Sequence, residues 1–138
     1  MRYTIVPLSD HLRAELFERE SAAETREFLN ALAEDCLKHG STRILVCVAD
    51  SRPIFRIEDY QASVFLRQLA ARATTRVALV AGHHDVRAAH EYLEVLARQQ
   101  GASLRSFPDE VPALRWLRSA AGPAAPPGAP DGRPVKET

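Results

Sequence analysis

Two short runs without a polar residue, Ile44-Leu-Val-Cys-Val-Ala49 and Val77-Ala-Leu-Val-Ala81, restrict the folds open to this chain more than any other feature. Each has the length of a strand, and a strand is apolar at every position when both of its faces are covered. Between them, residues 57–72 carry apolar side chains at helical spacing. Two doubly buried strands joined through a helix predict a parallel pair with a right-handed crossover.

The flanking segments extend this unit. Arg2-Tyr-Thr-Ile-Val-Pro-Leu8 is rich in aromatic and β-branched residues, Ser9-Asp10 is a turn, and Leu12, Ala14 and Leu16 then alternate with Arg13, Glu15 and Phe17. Such alternation predicts a half-exposed strand, paired antiparallel with the first. Ser21-Ala-Ala-Glu24 has the form of a capping box, and Phe28, Leu29, Leu32, Ala33, Cys36 and Leu37 follow at helical spacing up to Gly40. A further helix is expected from Val86 to Gln100 with Asp85 as its cap. It carries a stripe of Val86, Ala89, Leu93, Leu96 and Ala97 and closes at Gly101. A short strand, Leu104–Phe107, and a helix from Asp109 to Arg118 complete the predicted order ββαβαβαβα. The expected fold is α/β, a mixed sheet with four helices over residues 1–118. Residues 119–138 read as a disordered tail: five prolines and three glycines fall within 120–134, leaving little to bury and breaking any helix.

Charge excludes one class of partner. Eighteen basic and eighteen acidic residues cancel, so no general field attracts a phosphate backbone, and nucleic acid is not expected. Cys36 and Cys47 form no C-x-x-C pair and have no histidine at zinc-ligand spacing, so both are expected to be buried free thiols, as suits a reducing compartment. Met1 to Leu8 lacks the form of a secretory signal and no apolar run reaches membrane-spanning length, so a cytoplasmic location is expected. No cofactor or metal is expected.

Ligands of open α/β sheets bind beyond the carboxyl ends of the parallel strands. Asp50, Ser51 and Arg52 follow the first buried strand, His83, His84 and Asp85 follow the second, and Asp109 and Glu110 follow the last. Capping of a turn or helix start is the ordinary use of Asp50 and Ser51. A hydrolase using Ser51 and His84 is a rival reading, but the chain has no G-x-S-x-G elbow. A metal at His83, His84 and His90 is set against surface histidines in a turn. The helix from Ile57 carries more apolar residues than one stripe: Ile57, Tyr60, Val64 and Phe65 on one side, Ala62, Leu66 and Leu69 on another, with Ile54 and Phe55 before it. That surplus either packs on a neighbouring helix, or lines an apolar site through Phe55, Tyr60 and Leu66, or makes a homodimer or peripheral membrane contact.

Four stretches carry a resemblance: Arg43-Ile-Leu-Val-Cys-Val-Ala-Asp-Ser51, Arg76-Val-Ala-Leu-Val80, Arg87-Ala-Ala-His-Glu-Tyr-Leu93 and Phe107-Pro-Asp-Glu-Val-Pro-Ala-Leu-Arg-Trp-Leu117. Together with the element order they resemble the STAS fold, named for sulfate transporters and anti-sigma-factor antagonists. The branch most similar is the bacterial SpoIIAA-like one, related to the CRAL-TRIO lipid-binding domains. The resemblance implies a non-enzymatic module that binds a hydrophobic small molecule or a protein partner. In the antagonists a serine after the equivalent strand is phosphorylated to release a partner. Ser51 holds that position, but Arg52-Pro53 replaces the small residues that follow it in the family. A phosphorylation-switched regulator is therefore the alternative that the resemblance raises.

Overall fold

A computed structural model of the chain describes residues 1–51, 62–72 and 74–119. Strands β1 (Arg2–Pro7) and β2 (Leu12–Phe17) form the hairpin, and helix α1 (Ala22–His39) follows. Strand β3 (Arg43–Ala49), helix α2 (Ala62–Ala70), strand β4 (Arg76–Val80), helix α3 (His84–Gln100), strand β5 (Ser103–Phe107) and helix α4 (Glu110–Arg118) complete the order. The sheet runs β1-β2-β3-β4-β5, antiparallel between β1 and β2 and parallel thereafter. The expected mixed α/β fold, with its element order, is the one observed. Within the expected second helix, residues 57–61 lie outside the described residues, as does the proline-rich segment from Ala120 onward.

Successive parallel strands step in one direction across the sheet, so right-handed crossovers carry α1, α2 and α3 over the same face. The packing agrees. Leu12, Ala14 and Leu16 of β2, Ile44, Val46 and Val48 of β3, and Val77 and Leu79 of β4 form one core with Phe28 and Leu32 of α1, Leu66 and Leu69 of α2, and Val86 and Ala97 of α3. Alternate positions Leu45, Ala78, Val80 and Phe107 point to the other face, where Ala113 and Leu117 of α4 cover them. Coverage on both sides is why β3 and β4 are apolar at every position after their opening arginines, whereas β2 alternates.

Local chemistry sets the helix ends. Ser21 accepts the Glu24 N–H at 3.3 Å while the Glu24 carboxylate accepts the Ser21 N–H at 3.3 Å, closing the capping box. Gly40 ends α1 at φ +61°, the left-handed conformation in which a Cβ is costly. At α4 the last-turn carbonyls are satisfied from the sheet: Arg76 Nη1 donates to the Trp116 carbonyl at 2.8 Å, and Arg43 Nε to the Leu117 carbonyl at 3.0 Å. Two cations at a helix C-terminus also oppose its dipole favourably.

The start of α3 differs from expectation. Its cap is His83 rather than Asp85: the His83 ring Nδ1 accepts the Asp85 N–H at 3.2 Å, doing from an extended backbone what an aspartate oxygen would do. Asp85 instead lies in the first turn, with an oxygen 3.0 Å from His84 Nε2.

Candidate functional site

Beneath α1, α2 and α3 the core is incompletely filled. A cavity of about 70 Å³ lies between these helices and the sheet. Val46, Val48 and Leu79 form its floor, Phe28 and Leu32 one wall, Leu66 and Phe65 another, and Ala89 and Leu93 the third. Among the described residues that line it, Arg19, Thr25 and His90 are the polar ones, and all three are buried. The half-buried Leu29, Phe65 and Leu93 mark the side nearest solvent.

Each polar residue arrives by a definite route. Arg19 follows β2, and its backbone is pinned at the carboxyl edge of the sheet. Glu18 N–H donates to the Ala49 carbonyl at 3.3 Å, Arg19 N–H to Ser51 Oγ at 3.1 Å, and the Ser51 hydroxyl to the same Ala49 carbonyl at 3.0 Å. Glu18 and Asp50, side by side in this clamp, both take left-handed backbone angles, φ 59° and 49°. Such angles are uncommon for a glutamate and persist where neighbouring bonds enforce them. Thr25 is committed locally, its hydroxyl donating to the Ser21 carbonyl at 3.3 Å.

His90 is only 5% exposed and comes from the buried stripe of α3. Its Nδ1 has no hydrogen-bond partner among the described residues. Burial, and secondarily the positive charge of Arg19, lower its pKa from 6.5 to about 4, so the imidazole is neutral at pH 7.

The residues singled out from the sequence separate into groups. Leu66 lines the cavity and is fully buried. Asp50 and Ser51 follow the end of β3, where Ser51 Oγ accepts the Arg19 N–H. His83 and His84 are exposed on the first turn of α3, ring against ring at 5.3 Å. Among the described residues no hydrogen bond joins Ser51 to His84, and the Ser51 hydroxyl is engaged with backbone instead. Glu110 lies on the opposite face of the sheet, where its carboxylate accepts from Arg13 at 2.7 and 2.9 Å. Arg52, Phe55 and Tyr60 lie outside the described residues.

His90 corrects the surface-histidine expectation. It is core-facing, and the described residues hold no group of three metal-ligating side chains. The signal was present: positions 86, 89, 90, 93 and 97 share one helical face, and His90 belongs to it. No comparable sequence pattern marks Arg19, whose placement depends on the clamp between two strand ends. Cys36 is buried and Cys47 partly so, with burial pushing both thiols up to about 11, which leaves them protonated and unreactive at neutral pH.

No helix among the described residues is long and apolar enough to cross a membrane. The mixed five-stranded sheet with three helices on one face and one on the other defines the class as α/β. No family model, curated protein or solved structure matches the chain.

Proposed function

We propose that this chain is a STAS-like, non-enzymatic binding module that takes a small hydrophobic molecule into the cavity under α1, α2 and α3. One observation carries the reading: the core retains an apolar cavity of about 70 Å³ that runs from the sheet to half-buried side chains near solvent. Close packing is the rule in protein interiors, and a void forfeits contacts on its whole lining. A hydrolase is disfavoured because the Ser51 hydroxyl is tied to the Ala49 carbonyl and the Arg19 N–H rather than to an imidazole.

A phosphorylation-switched regulator remains a second reading for a specific reason. A phosphate on Ser51 would remove the hydroxyl proton that holds Ala49 and would disturb the clamp that positions Arg19. In that case the switch and the cavity act on the same structural element.

The cavity reading is tested by thermal unfolding with 1-hexanol, because a ligand that binds only the folded state raises the melting temperature. Ala89, buried against the cavity, is the residue to enlarge. The expected result is a hexanol-dependent rise for the parent protein that disappears in Ala89→Leu, which fills the space. An identical response in both proteins would refute the reading.

A further inference from the structure

We propose that the ligand of this cavity carries a hydroxyl, which shares a hydrogen bond with the Nδ1 of His90 while its apolar body lies on the sheet. This rests on the reading of the cavity as a ligand site and adds the chemical class of what enters it, a neutral alcohol on an apolar chain.

His90 occupies a position on the α3 stripe where leucine would close the core without an unmet polar atom. Instead an imidazole lines the cavity, only 5% exposed, and its Nδ1 is buried with no hydrogen-bond partner among the described residues. Burying such an atom unsatisfied costs free energy, and native structures rarely leave one so. Of the other polar residues described in the lining, Thr25 donates its hydroxyl to the Ser21 carbonyl at 3.3 Å, and Arg19 already has a partner.

The walls and the ring together select the head group. Among the described lining residues none is acidic, so a cationic ligand would be buried without a counter-charge, at a large desolvation cost. An anion would face a neutral ring, since burial lowers the imidazole pKa to about 4, and one ring N–H is little compensation for a buried charge. A neutral imidazole carries its proton on one nitrogen, so Nδ1 is a donor in one tautomer and an acceptor in the other. A carbonyl or ether oxygen meets only the first. A hydroxyl both donates and accepts, and so meets either. The volume limits the body. At about 70 Å³ the cavity is roughly half the ~150 Å³ that admits benzene, so only a few carbons fit inside. A longer chain would extend past Leu29, Phe65 and Leu93.

The experiment gives the full chain two probes that differ only in the head, 1-hexanol and 1-chlorohexane, with calorimetry for affinity and nitrogen NMR of the His90 ring at neutral pH. Both probes are expected to bind. Saturating 1-hexanol should shift the His90 Nδ1 resonance, whereas 1-chlorohexane should leave it nearly in place. His90→Leu should weaken 1-hexanol about fivefold, the size of one neutral hydrogen bond, and hold 1-chlorohexane as the parent protein does. An Nδ1 resonance that 1-hexanol moves no further than 1-chlorohexane does, or a His90→Leu variant that weakens both probes equally, overturns the hydroxyl assignment while leaving an apolar site. Failure of both probes to bind overturns the cavity reading as well. The NMR comparison uses the parent protein alone, so it stands whatever the stability of the variant.

Discussion

At the residue scale, His90 makes the sharpest demand on the protein. Its burial gives it a folded-state pKa of about 4 against 6.5 for the free side chain. Between those values the unfolded chain binds a proton that the native state refuses, so acid favours unfolding. The stability at stake is whole above pH ~6.5 and falls as the pH drops through about 4, by up to ~3 kcal/mol. Glu110 and Asp10 also have lowered pKa values and act in the same sense as His90, since the unfolded chain takes up their protons first, but their contributions are lost only at more acidic pH. Urea denaturation of parent and His90→Leu proteins should therefore diverge between pH 7 and pH 5, the variant losing less stability. Parallel pH profiles over that interval would contradict the burial of a neutral imidazole. Single residues were also the least legible part of the sequence. Leu66 was named from its helical spacing, but the partnership of Ser51 with Arg19 joins the ends of two strands that are 32 positions apart. No local pattern encodes such a contact.

At the scale of the element, most of the structure was legible because local chemistry and packing agree. The Ser21–Glu24 box and Gly40 bound α1 as their chemistry requires, and the uninterrupted apolar runs of β3 and β4 reflect cover on both faces. Where reading failed, an unusual residue had taken a common role: His83 caps α3 through a ring nitrogen, a function that spacing rules assign to Asp85. Ser21→Ala tests the capping box directly. Losing the side-chain acceptor of a helix N-terminus typically costs ~1 kcal/mol. The urea midpoint should fall accordingly, with an unchanged slope. Threonine at the same position should restore most of the loss, and a midpoint unaffected by alanine would show that the bonds at Ser21 contribute nothing net.

At the scale of the whole molecule, the strand order decides where a ligand can go. Because β2 to β5 are laid down in sequence order, three helices share one face and α4 alone covers the other. The crowded face is the one that leaves a cavity, and it is there that α1, α2 and α3 converge on Arg19 and His90. Sequence reading located the polar strand ends but not this interior, since a void arises from how three helices meet and has no signature along the chain. The helix from Ile57 carries the surplus of apolar residues noted in the sequence, and its described part contributes Phe65 and Leu66 to the cavity wall. The most direct measurement is a methyl NMR titration of the full chain with 1-hexanol. Shift changes concentrated at Leu16, Leu32, Val46 and Leu79, which line the cavity, are the result predicted. Changes confined to exposed methyls such as Val6, Leu37 and Val111, with the cavity methyls unmoved at saturation, would contradict it.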